Sequence, residues 1–176
     1  MIWSEVKKRM IKRSIKDFGT IVEDILSNDK FQKLNNELHH GISRFSHSRR
    51  VASLTYRFAK LFHMKNIEAM TRAALLHDFY LDNEFINNEN SAKKLSAHPI
   101  LAYENASQYY ELGDLEENII KSHMFPLKGD VPVYKESYIV STIDKLAGAY
   151  EMSCFKFSLA LNILLIFIFN IITIQR

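Results

Sequence analysis

Six side chains of ligand type recur along the chain: His47, the adjacent pair His77 and Asp78, His98, His123 and Asp144. The pair ends the apolar run Ala73 to Leu76, and Asp144 stands between Ile143 and Lys145 in another apolar stretch. A charge taken out of water unpaired costs several kcal/mol, so carboxylates and imidazoles in such settings are ion-paired, hydrogen-bonded or bound to metal. Four imidazoles and two carboxylates form a donor set of intermediate softness, suited to Fe, Mn, Zn or Co more than to Ca or Mg. Six ligands exceed what one catalytic metal with open positions needs. They suit two divalent ions that share a carboxylate.

To converge, these residues must be carried by separate helices. The chain has 5 glycines and 3 prolines, is 47% hydrophobic, and shows 3.6-residue periodicity without sustained alternation, so an all-α fold is expected. Residues 2–26 read as a basic amphipathic helix that would either lie on anionic lipid or pack on the domain. A short helix is expected from Phe31 to the stop at Gly41, where His39 and His40 read as surface residues. Arg44 to His63 reads as a helix with the stripe Val51, Leu54, Phe58, Leu61, Phe62 and with His47 in its first turn, Arg50 one turn on. Ile67 to Tyr80 carries the His77–Asp78 pair.

The polar stretch Leu81 to Ser91 leaves the pair as a loop, which makes Asp82 and Glu84 minor candidates for substrate contact. Pro99 suits the first position of a helix running to Gly113, with His98 just outside it. Asp114 and Glu117 read as a capping box opening the helix to His123. Asp144 falls in a helix over 136–152. A bundle of this kind lets each helix present one ligand, or a pair, to a common centre.

A chain of 176 residues suits one domain with appendages. The divisions expected are a basic N-terminal helix over 1–30, a catalytic domain over 31–153 and an apolar C-terminal helix over 157–174. That last segment contains no charged residue. Eighteen helical residues span about 27 Å against roughly 30 Å for a bilayer core, so it reads as a membrane anchor, in competition with a core or dimer-interface helix. With one cysteine and no cleavable signal read at the start, the folded part is expected in the cytoplasm. The net charge of +3 is too small to imply a nucleic-acid polymer as partner.

Taken in order, His47-x-x-Arg50-Val51, Leu75-Leu76-His77-Asp78, His98, His123 and Ile143-Asp144-Lys145 resemble the HD-domain superfamily of metal-dependent phosphohydrolases, over roughly Arg44 to Glu151. The resemblance implies a helical bundle in which His47, His77, Asp78 and Asp144 hold a first metal, and His98 and His123 hold a second with Asp78 bridging. Fe or Mn is the expected pair, with Zn, Co or Mg as alternatives. It further implies hydrolysis of a phosphomonoester or phosphodiester, in a nucleotide or small phosphorylated metabolite, by a water activated between the two ions. Arg50 and Lys145 are candidates to hold the phosphate, and with Asp78 they make up the expected catalytic set. Phe79-Tyr80 stands where a common variant has Gly, and a Gly-Tyr-Pro signature is absent, which argues against a cyclic dinucleotide substrate. Two other readings stay open: a di-iron oxygenase with the same ligand set, and a membrane-linked nucleotide sensor without turnover.

Overall fold

In the computed structural model the described residues are 16–39, 41–85 and 91–174. Among them the chain is helical apart from one two-stranded ribbon. Helix α1 (Phe18–Leu26) starts at Asp17, whose carboxylate accepts the Thr20 N–H, and it buries Ile21, Val22 and Ile25 in the core. Residues 2–15 of the amphipathic helix expected from the sequence lie outside the described residues.

The chain then makes one turn, α2 (Asp29–Gln32), and a 3-10 turn (Lys33–Asn36), which place Phe31 and Leu34 in the core. A short helix running on to Gly41 was the expectation, and an antiparallel ribbon stands there instead. Its strands are β1 (Leu38–His39) and β2 (Ile42–Ser43), with Gly41 between them at φ +88°. The cause is local: Asn35 donates its side-chain amide to the Gln32 carbonyl, an acceptor that a continuing α-helix would need.

Ser43 ends the ribbon and caps α3 (Arg44–Leu61) by accepting the Ser46 N–H. Helix α3 packs most extensively on α4 (Ile67–Leu76). The buried face of α3 runs through Val51, Ala52, Thr55 and Ala59, whereas Leu54, Leu61 and Phe62 of the expected stripe are exposed. The small residues Ala52, Ala59, Ala73 and Ala74 are fully buried, so the two helices meet along their alanine faces and the larger side chains are left outside.

Three more helices complete the bundle: α5 (Ser91–Ser107), α6 (Asp114–Ser122) and α7 (Lys135–Ile174). Pro99 sits inside α5, so His98 is a mid-helix residue and does not precede a helix start. Serine, alanine and leucine upstream of Pro99 sustain helix well enough to outweigh the one backbone hydrogen bond that proline removes. Helix α6 opens on Gly113, whose N–H donates to Glu116. The expected Asp114–Glu117 box is therefore displaced by one residue, and Glu117 pairs with Lys121 and accepts the Tyr103 hydroxyl. Helix α7 is continuous, with no break between the two helices expected there. Its side chains through Glu151 pack on the bundle, and those of residues 152–163 are exposed. Among the described residues no helix is long and apolar enough to cross a membrane, so the anchor reading of 157–174 gains no support.

Candidate metal centre

Two of the imidazoles are oriented by the helix ends on which they sit. His77 and His123 are the C-terminal capping residues of α4 and α6, where the last-turn carbonyls lack intrahelical donors. His77 Nδ1 donates to the Ala74 carbonyl at 2.8 Å, and His123 Nδ1 to the Ile120 carbonyl at 2.7 Å. Each ring thus keeps a proton on Nδ1 and turns Nε2 inward, the orientation a metal ligand requires. Burial works against a charged His77, but the Asp78 and Asp144 carboxylates raise its pKa.

Two carboxylates hold His47. Its Nδ1 lies 2.7 Å from Glu151 Oε2 and its Nε2 lies 2.9 Å from Asp144 Oδ1. Burial works against the imidazolium, but these two carboxylate bonds outweigh it and raise the His47 pKa to about 10. Burial would likewise raise Asp144, yet the bond from His47 and the neighbouring His77 imidazole hold it well below the usual carboxylate range. His123 is pushed down to about 3 by burial and by the neighbouring His77.

All six side chains converge. His77 Nε2 is buried without a hydrogen bond, 3.5 Å from Asp144 Oδ1 and 3.6 Å from Asp78 Oδ2. Asp78 Oδ1 lies 3.5 Å from His123 Nε2 and 3.6 Å from His98 Nε2. Such separations are too long for hydrogen bonds. They are close to the roughly 3 to 3.5 Å between two donor atoms that share one cation at about 2.1 Å. Two triads, His47–His77–Asp144 and His77–Asp78–His123, have their ligand atoms within 4.8 Å of one another, and His77 belongs to both. His98 joins the second, its Nε2 3.0 Å from His123 Nε2. Since His123 Nε2 is a lone pair, the proton between these two nitrogens belongs to His98, and a cation would replace it. The residues therefore fit a metal: lone pairs and carboxylate oxygens face one buried point, where the protons on His47 and His98 stand in for positive charge.

The other expected site residues are engaged elsewhere. Arg50 is bound to Glu151 Oε1 at 2.6 Å. Lys145 donates to the His123 carbonyl at 2.6 Å and to Ser141, and burial lowers its pKa. Asp82 pairs with Arg44, and Glu84 with Lys30 and Asn105, so both close the structure behind the site. Glu151 was not foreseen. It lies two turns beyond Asp144 on the same face of α7, a spacing visible in the sequence, but a glutamate in a helix ordinarily reads as solvated.

The HD domain family model matches residues 44–149, from the first residue of α3 to two residues short of Glu151. The chain belongs to the HD-domain family. The matched segment contains all six converging residues, and HD domains are in general metal-dependent hydrolases of the phosphohydrolase type. No curated protein and no solved structure matches the chain. The match covers the six converging residues, while α1, the ribbon and Glu151 lie outside it.

Proposed function

We propose that this HD domain hydrolyses a phosphomonoester or phosphodiester bond in a nucleotide or small phosphorylated metabolite, using two divalent metal ions, Fe or Mn. The observation that carries the reading is the convergence of the inward-facing Nε2 atoms of His77 and His123 and two buried carboxylates on one point. His47, His77 and Asp144 would hold one ion and Asp78, His98 and His123 the other, with His77 and Asp78 lying between the two groups. When bound, divalent ions make a coordinated water acidic near neutral pH and neutralise charge on phosphoryl oxygens.

The protein's own residues do the rest. The Ala74 and Ile120 carbonyls fix the tautomers of His77 and His123, and Glu151 does so for His47. Phe79 and Tyr80, buried directly after Asp78, keep bulk water from the inner side of the site. Lys145, next to Asp144, is the cation we assign to a phosphoryl oxygen, a contact for which it would give up one of its bonds to the His123 carbonyl and Ser141. Arg50 acts through Glu151 and His47 and makes no contact with the substrate in this reading.

The test is metal content of the purified full chain, coupled to phosphate release from a panel of nucleotides and phosphomonoesters under anaerobic conditions with Mn. About two ions per chain, and turnover abolished by Asp78→Asn, are expected. Metal bound without turnover of any phosphoester would overturn the hydrolase assignment, and turnover that required oxygen and iron would replace it with oxidative chemistry.

A further inference from the structure

A groove of about 790 Å³ lies between α3 and α7, and none of the six converging residues lines it. One wall is a polar ridge of α3, on which Ser46, Arg49, Arg50, Ser53 and Arg57 recur at helical spacing. The opposite wall is Leu146, Ala147 and Tyr150 of α7, and Phe18 and Phe45 also contribute to the lining.

Charge and shape both select the occupant. Three guanidinium groups line the groove and no carboxylate does. Arg49 and Arg57 are exposed, and neither makes an ion pair or hydrogen bond to the described residues. Arg50 is committed on one side to Glu151, and its guanidinium lies 5.7 Å from the centre of the Tyr150 ring. Leu146 and Tyr150 are each more than 60% exposed, so the α7 wall offers apolar and aromatic surface to a ligand. The volume lies in the range of small-molecule sites. Guanidinium groups facing an apolar wall suit an anion attached to an apolar body, since the planar fork of arginine pairs with phosphate or carboxylate. The basic segment before Lys16 is a poor match for a cationic groove.

From this we infer that the α3–α7 groove is a second ligand site, separate from the metal centre, for a small organic anion. Arg49 and Arg57 hold the charged head, and Tyr150 and Leu146 receive the body. The groove also touches the centre through an unbroken chain of contacts. Arg50 bonds Glu151 at 2.6 Å, Glu151 bonds His47 at 2.7 Å, and His47 bonds Asp144 at 2.9 Å. A ligand that draws on Arg50 therefore alters the hold of Glu151 on a metal-binding imidazole, and by linkage metal alters ligand affinity by the same factor.

The experiment titrates the metal-free full chain with an N-methylanthraniloyl-labelled AMP, an aromatic phosphate read by fluorescence. Metal-free protein keeps the result independent of the proposed hydrolysis. Saturable binding, weakened at least tenfold in the Arg49→Glu/Arg57→Glu double variant and unchanged in Asp78→Asn, is expected. Both arginines are exposed, so the double variant should keep the parent's melting temperature. Three results would overturn the proposal: no saturable binding, binding that the arginine reversals leave intact, or binding that Asp78→Asn abolishes. A chain that sediments as a dimer without binding the probe, and becomes monomeric on the arginine reversals, would give the groove to a second copy and likewise overturn it.

Discussion

Replacing Glu151 by Gln tests the outer support of the centre without altering a metal ligand. The Glu151 side chain has no solvent exposure and spends one oxygen on His47 and the other on Arg50. Glutamine keeps the length but has one oxygen and one amide, so either the imidazole or the guanidinium faces a donor. Losing a hydrogen bond to a charged group costs about 1.5 to 3 kcal/mol. Loss of the partner that orients a ligating imidazole ordinarily costs about 10- to 100-fold in metal affinity, which is about 1.4 to 2.7 kcal/mol. The two magnitudes agree. An opposing effect must be weighed, because removing the carboxylate also loosens the proton that metal displaces from His47. A divalent ion feels the lost charge twice as strongly as a proton does, so a net loss should survive at pH 7 and grow at higher pH. Competition against a fluorescent chelator, with Mn or Zn, measures it. Arg50→Ala should give a smaller loss, and the double variant should fall short of the sum, since both act on one contact. Metal affinity within twofold of the parent for Glu151→Gln, while His77→Ala abolishes binding, would refute the orienting role.

Other expectations concern the metal-free fold. The His47 pKa is raised to about 10 from 6.5, so its contribution to stability is complete below about 6.5 and is lost as pH rises through 10. His123, lowered to about 3 from 6.5, works oppositely, its contribution being lost as pH falls below about 6.5, and Asp144 adds to that acid loss below 3.8. The urea midpoint should therefore peak near pH 6.5 and decline on both sides; a midpoint that climbs between pH 7 and 9.5 would contradict the charge assignments. Leu75→Ala, in the core, should cost about 2 to 5 kcal/mol, while Leu61→Ala, largely exposed, should stay within about 0.5 kcal/mol, both read by chemical unfolding. Gly129→Ala should destabilise by about 1 to 3 kcal/mol, because the residue sits at φ +82° and an added Cβ would lie 2.8 Å from the Lys121 carbonyl oxygen. An unchanged melting temperature would show that this loop relaxes freely.

The six converging residues were legible because metal chemistry accepts few residue types and because His77 and His123 fall where helices end, a place that leaves its own sequence marks. The supports were harder to see. Glu151 shares a face with Asp144, but only the approach of α3 to α7 turns that face inward, and periodicity within one helix does not report which neighbour it will meet. The exposure of Leu61 and Phe62 has a similar origin, since the alanines of α3 and α4 let those two helices approach more closely than leucines would allow. His98 was misplaced because proline reads as a helix start, whereas the residues upstream of Pro99 continue α5. The continuous α7 follows from the lack of any glycine or proline between Met152 and Phe157. The groove was invisible because its two walls lie far apart in sequence and neither forms a motif.

The converging residues also have a topological meaning. His47 and Asp144 touch across 97 residues of chain, and His77, Asp78, His98 and His123 join them from the cap of α4, from just beyond it, from α5 and from the cap of α6. Ions seated there would fasten five segments at once, closing several long loops with a few bonds. Such a clip binds only the assembled bundle, so its effect is not confined to the centre. At a free ion concentration 100 times the dissociation constant, one site adds about 2.7 kcal/mol to the free energy of every opening that separates its ligands. Segments lacking a ligand, such as α1 and the exposed length of α7, would keep their local freedom, and the chain would divide into a fastened body and unfastened ends.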